Sequence, residues 1–194
     1  MRDPSPEPGL RYSVLFVCLG NICRSPVAKA VFDHKARQAG LSGTVHTESC
    51  GTGHWHIGDN ADRRSVEVME RNAVPMAQVA RQLDGPTDAR RFDLIIAMDD
   101  KNVTDLAAAG VPRHRIHLLR SFDTGLDGYA SSAWQLADPY HKSGEEFQTM
   151  FEHIDAACDG LVAFVKQEIS DRQQARRPGL ALIELQVVIA IIAL

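Results

Sequence analysis

Cysteine is scarce in this chain. Four among 194 residues is too few for a disulfide scaffold in a protein of this size. Net charge is low as well, at −4, so nothing global attracts nucleic acid or an anionic membrane. The first ten residues, MRDPSPEPGL, hold three prolines and no apolar run. They read as a loose tail and not as a signal peptide, and the expected location is the cytoplasm, where thiols stay reduced. The apolar stretch at 180–194 is fifteen residues long and contains Glu184 and Gln186, short of the roughly 18–20 residues that span a bilayer. What remains is ordinary: 44% apolar and 24% charged residues, enough to fill the core of one domain.

Along the chain, short apolar runs alternate with helical patterns. Residues 11–18, RYSVLFVC, read as a strand buried on both faces. Residues 25–39 put Val27, Ala30, Val31 and His34 on one helical face, with Ser25 as the expected cap, Pro26 at the first helical position and Gly40 at the end. Strands follow at 44–52, weakly at 77–83, at 92–99 and at 115–122. Helices are expected at 61–74, closed by Pro75, and at 101–110. A long loop fills 123–142. The last helix, 143–170, has Phe147, Met150, Phe151, Ile154, Cys158, Leu161 and Val165 on its core face, and Ser143 with Glu146 at capping-box spacing. Such alternation implies an α/β domain with a mostly parallel sheet, and ligands in such sheets bind at the carboxyl ends of the strands. The first strand ends at Cys18.

Residues 18–25, CLGNICRS, join that strand to the first helix. A turn of this kind aims backbone N–H groups into one concavity, with the positive end of the helix behind it, and so binds an anion. Gly20 permits close backbone approach. Arg24 offers a planar fork of donors for two oxygens. The same field stabilises a thiolate at Cys18, which makes it a nucleophile aimed at phosphorus. The loop lacks the lysine of the nucleotide-binding P-loop. Its pattern is Cys-x5-Arg.

That stretch resembles the active-site signature of the low-molecular-weight protein tyrosine phosphatases. DPY at 138–140 resembles the acid loop of the family, SCGTGHWHIG at 49–58 a second block, and DLIIAMD at 93–99 its central strand, in matching order over roughly residues 11–168. The resemblance implies a three-layer α/β fold of the flavodoxin-like, phosphotyrosine phosphatase I-like kind, with a four-stranded, mostly parallel sheet flanked by helices. It implies hydrolysis of phosphotyrosine and aryl phosphates through a phosphocysteine. Cys18 is then the nucleophile, Arg24 the phosphate clamp and Asp138 the general acid and base. Leu19, Gly20, Asn21, Ile22, Cys23 and Ser25 complete the phosphate loop, with Asn21 holding its shape and Ser25 donating to the Cys18 thiolate. Trp55 and Tyr140 wall a slot for a flat ring. Cys23 is placed to trap an oxidised Cys18 as a disulfide. The implied partners are phosphotyrosine proteins or peptides, with inorganic phosphate as product. No cofactor or metal is called for, because thiolate, arginine and backbone amides supply the electrostatics. The alternative enzyme on this fold is an arsenate reductase. Its thioredoxin-coupled form needs a cysteine pair in mid-chain, and residues 75–100 contain no cysteine.

Other polar residues have plainer readings. His54 and His56 form a loop pair with no third ligand nearby, and His54 and His141 sit at the rim, where they tune peptide preference. Cys50 and Cys158 are core. Asp59, Asp62, Arg63 and Arg64 form a solvated helix start, and Asp99 and Asp100 cap the following helix. The domain expected from all this is 11–170, after a tail at 1–10. Residues 171–194 turn from basic to apolar, and RRPGLALIELQVVIAIIAL resembles the start of a type IV prepilin, with Glu184 fifth after Gly179. A fused fragment, a surface amphipath that contacts membrane, and a packed extension all remain open for it.

Overall fold

The computed structural model describes residues 11–176; the expected tail at 1–10 and the prepilin-like stretch from 177 on lie outside the described residues. Four parallel strands form one sheet in the order β2-β1-β3-β4. They are β1 (Tyr12–Cys18), β2 (Val45–Gly51), β3 (Leu94–Ala97) and β4 (Ile116–Leu118). β1 is central and every one of its residues is buried. Its alternate side chains feed two cores. Val14, Phe16 and Cys18 face one, with Phe32, Phe147 and Leu161. Leu15 and Val17 face the other, with Phe92, Ile95 and Leu106. Burying each such side chain stabilises the fold by about 1.5–3 kcal/mol.

Among the described residues five helices flank the sheet: α1 (Arg24–Gln38), α2 (Arg63–Arg71), α3 (Gly85–Arg91), α4 (Asp100–Ala108) and α5 (Gly144–Ala175). All seven residues expected on the core face of α5 are buried. α1 ends as expected: Gly40 adopts φ 76° while its N–H and that of Leu41 close onto Arg37 and Ala36, the paired bonds of a glycine-terminated helix. Arg172, in the last turns of α5, reaches back to Asp93 and lies over the Tyr12 ring. Among the described residues no helix is long and apolar enough to cross a membrane.

Several local expectations are corrected. Cys23, not Ser25, occupies the cap position of α1, with no side-chain cap bond, and Pro26 is the third helical residue; its missing N–H falls among the first four, which have no helical partner anyway. His34 is only partly buried and bonds Gln38, while Phe32 and Ala36 take the core positions. α2 stops before Pro75, because Ala73 turns to φ 55° and the Val74 N–H closes onto Met69. Residues 77–83 are no strand. They make two isolated bridges, Gly51 with Gln82 and Asn60 with Val79, and two of their donors, Gln78 Nε2 and the Arg81 N–H, reach Asn21 of the phosphate loop. α3 went unforeseen although Asp84 caps it by accepting from the Thr87 N–H and Pro86 lies in its first turn. β3 and β4 are shorter than their apolar runs, and the chain after β4 tightens into a 3-10 turn at Leu119–Phe122. Ser143 caps α5, but its hydroxyl bonds the Glu146 carboxylate and not the backbone.

Candidate active site

β1 delivers Cys18 to the carboxyl edge of the sheet, and α1 starts six residues later. Between them the loop wraps around the Cys18 sulfur. The Asn21 N–H points at Sγ from 3.3 Å, and the Ser25 hydroxyl lies 3.0 Å from it. Two sources of positive field therefore meet at one sulfur: a backbone amide and the N-terminal end of α1.

The loop keeps its shape through Asn21, whose φ is 56°. Non-glycine residues reach that region at a cost, and asparagine more readily than most. The Asn21 amide donates to Ser25 and Ser49, each at 2.9 Å. Its oxygen accepts from Gln78 Nε2 and from the Arg81 N–H, each at 3.0 Å. The amide's hydrogen-bonding capacity is thus filled from four directions. Because Asn21 donates to Ser25 Oγ, the Ser25 proton is left for the Cys18 sulfur or the Cys50 carbonyl. Asn21 and Ser25 are fully buried beneath the loop and do not line the cleft above it.

Arg24 opens α1 with its side chain 2% exposed. Nη1 pairs with Asp99 at 2.5 Å and also donates to the Leu136 carbonyl, while Nη2 pairs with Asp138 at 2.5 Å. Burial works against the charge. The negative groups at Cys18, Asp138 and Asp99 more than offset it, and the pKa is raised. Asp99 does cap α4, accepting from the Asn102 N–H, yet its second oxygen holds Arg24. The local sequence around Asp99 signals only the cap. The available signal was its place at the end of β3, on the same sheet edge as Cys18.

The cleft over the loop measures about 430 Å³ and brings Cys18, Leu19, Gly20, Ile22, Cys23 and Arg24 together with Trp55, His56, Asp138, Tyr140 and His141. Trp55 is 65% exposed and stacks on His54; Tyr140 is 39% exposed and meets His56 and His141 edge-on. These rings form the rim more than the floor. Gly20 leaves little room here: a Cβ would come within 3.1 Å of the His56 ring, which would have to give way. Cys23 lines the same cleft as a free thiol, and burial, with Asp62 adding to it, pushes its pKa up to about 12. Cys50 and Cys158 are fully buried, as expected.

The helix-start cluster is not merely solvated. Asp62 caps α2 and its N–H donates to the Ile22 carbonyl in the phosphate loop. Arg64 pairs with Asp62 and donates to the carbonyls of Tyr140 and Lys142 in the acid loop. Among the described residues no three His, Cys, Asp or Glu side chains gather as a metal site.

A family model described as low molecular weight phosphotyrosine protein phosphatase matches residues 13–173. A low molecular weight protein-tyrosine-phosphatase of Streptomyces coelicolor is 36% identical over 166 residues, covering 84% of this chain and 99% of the relative. A low molecular weight phosphotyrosine protein phosphatase of Schizosaccharomyces pombe is 48% identical over 135 residues, covering 69% and 84%. Among solved structures, YfkJ from Bacillus subtilis superposes with TM-score 0.73 at 34% identity, covering 84% of this chain and 99% of its own. A Drosophila arginine phosphatase superposes with TM-score 0.70 at 26% identity, covering 79% and 97%.

Proposed function

This chain belongs to the low molecular weight phosphotyrosine protein phosphatase family and is a hydrolase, and from that premise we propose that it hydrolyses phosphotyrosine in proteins or peptides through a covalent phosphocysteine. The observation that carries the reading is the convergence on one sulfur: Cys18 Sγ held by an amide and a hydroxyl, with Arg24 beside it and Asp138 on the facing wall.

In the first step the Cys18 thiolate forms a bond to phosphorus as the bond to the phenolic oxygen breaks. Asp138 gives its proton to the departing phenolate. Arg24 turns its donors from the carboxylates to the equatorial oxygens, where charge is held through the transition state. In the second step water attacks phosphorus and yields its proton to Asp138. The sulfur leaves, and inorganic phosphate is released. Acid–base help of this kind is worth about 10²–10⁴-fold. Ile22, Trp55 and Tyr140 supply apolar walls for a flat ring, and the ring's length carries a phosphate down to Cys18 where a serine stem falls short. The domain proposed for this turnover begins at residue 11, and its last helix runs past the expected end at 170 to Ala175.

The test is phosphate release, without added metal, from matched peptides carrying phosphotyrosine, phosphoserine or phosphoarginine, with wild type and Cys18→Ser. Release from phosphotyrosine that vanishes in the variant is the expected result. Preferential release from phosphoarginine would reassign the substrate to that of the Drosophila structural relative while keeping the nucleophile.

A further inference from the structure

Arg64 lies outside the cleft lining, yet it touches the supports of both walls. Nη2 donates to the Tyr140 carbonyl and Nη1 to the Lys142 carbonyl, each at 2.9 Å. Both carbonyls belong to the loop that carries Asp138. On its other side, Arg64 binds Asp62 through Nε and Nη2 at 3.0 and 2.8 Å. Asp62 in turn donates its N–H to the Ile22 carbonyl at 2.8 Å. The guanidinium also lies 4.4 Å from the centre of the Phe147 ring, at the start of α5. A continuous chain of bonds therefore runs from the phosphate loop, through Asp62 and Arg64, to the backbone two and four residues beyond Asp138.

We propose that Arg64 is the positioning residue that sets Asp138 against the leaving group, by clamping the acid loop to the N-terminus of α2. The inference rests on the reading of Asp138 as the general acid. The acid loop is held on the upstream side by Arg24, which bonds the Leu136 carbonyl and Asp138, and by the Leu136 N–H on the Met98 carbonyl; Arg64 holds it on the downstream side. Residues 123–142 contain only short 3-10 turns, and the Asp138 carboxylate is 40% exposed. Its other oxygen accepts from the Tyr140 N–H, so Tyr140 is anchored at one peptide group by Asp138 and at the next by Arg64. A shift of that peptide moves the carboxylate with it. Arg64 suits the task because its planar fork serves one carboxylate and two carbonyls at once, which a lysine's single ammonium cannot do at the same spacing. The pairing is mutual: Asp62 raises the Arg64 pKa, and Arg64, chiefly through its hydrogen bond, lowers that of Asp62. The clamp stays charged on both sides at neutral pH.

A clamp that acts through the acid has a distinctive signature. Protonation matters most when the leaving phenolate is a strong base and little when it is a weak one. We expect Arg64→Gln to lower kcat/KM on phenyl phosphate by about 10–100-fold and on p-nitrophenyl phosphate by only a few fold, since about 1 Å of misplacement can cost 10²-fold. Inhibition by inorganic phosphate should change less than about two-fold, since Cys18 and Arg24 are untouched. Arg64→Met keeps the stem over Phe147 and guards against a folding defect, with circular dichroism as the check. The deciding measurement is a double-mutant cycle with Asp138→Asn. In that background, Arg64→Gln should cost nothing further on phenyl phosphate. Equal losses from Arg64→Gln on both esters, or a full additional loss in the Asp138→Asn background, would overturn the proposal. If Asp138→Asn itself shows no dependence on the leaving group, the reading of Asp138 fails first, and the clamp with it.

Discussion

Asp138 Oδ2 and Arg24 Nη2 form an ion pair 2.5 Å long across the cleft. In the proposed mechanism the acid and the phosphate clamp are thus each other's partner until an oxyanion arrives. Phosphate must draw Arg24 away, and the same exchange frees the Asp138 carboxylate to face the leaving oxygen. The proposed mechanism thus couples binding of the phosphoryl group and delivery of the acid through one guanidinium.

Asp138→Ala should therefore separate chemistry from binding. Turnover on phosphotyrosine is expected to fall about 10²–10⁴-fold. Inorganic phosphate should inhibit at the same concentration or a lower one, because a competitor for Arg24 is gone. Steady-state assays with phosphate as inhibitor measure both. Weaker phosphate inhibition would mean that the carboxylate helps build the anion site.

Asp99 does two jobs, with one oxygen each: Oδ1 caps α4 and Oδ2 holds Arg24. Asp99→Ser retains a capping hydroxyl but loses the ion pair. It is expected to weaken phosphate inhibition and lower kcat/KM with little change in thermal stability. Asp99→Ala should show the same catalytic loss and cost about 1 kcal/mol more, the usual penalty for an empty cap. Equal stability in the two variants would remove the cap from the account.

Cys23 is held as a neutral thiol, its pKa pushed up to about 12 chiefly by burial. With peroxide as oxidant, Cys18 would form a sulfenic acid. Cys23 would then attack its sulfur, forming a disulfide and releasing water. Activity lost to limited peroxide should return almost fully with dithiothreitol in wild type and far less in Cys23→Ser, where the sulfenic acid is left to oxidise further. Equal recovery in the two proteins would exclude the protective disulfide.

Alkaline conditions should unfold this protein in a way that its thiols explain. Burial raises the pKa of Cys23 and of Tyr12 to about 12, and that of Cys50 and Cys158 further still. In the unfolded chain a thiol titrates near 8.5 and a tyrosine near 10. A raised folded pKa gives stability that is whole below the unfolded value and is lost above it, because the unfolded state then releases protons that the folded state keeps. The urea midpoint should hold up to about pH 8 and fall steeply by pH 10.5, each thiol adding at most about 1.4 kcal/mol per pH unit. Cys50→Ala should flatten the fall. A midpoint unchanged between those pH values would contradict neutral burial of these side chains.

Two kinds of residue separate what could be read from what could not. Cys18, Gly20 and Arg24 were legible because their chemistry lies within seven consecutive residues, and α5 because a long apolar stripe has one period. Asp99 and Arg64 were not. Asp99 is 75 positions from Arg24 and Arg64 is 76 from Tyr140, and each was seen only in its local role beside a helix start. Residues 77–83 misled for the same reason. Their alternation looked like a strand, but Gln78 and the Arg81 N–H are spent on Asn21.

The sequence by itself determined the strand-to-helix loop at 18–25, the four sheet strands, the long last helix and the central buried strand, because hydrophobic periodicity and a nucleophile's immediate field are local properties. Only the tertiary structure decided which carboxylates hold Arg24, what keeps Asn21 in its left-handed turn, and what steadies the acid loop. Those depend on side chains brought together from distant parts of the chain, where the donors and acceptors of one element are matched by another only after the sheet has formed.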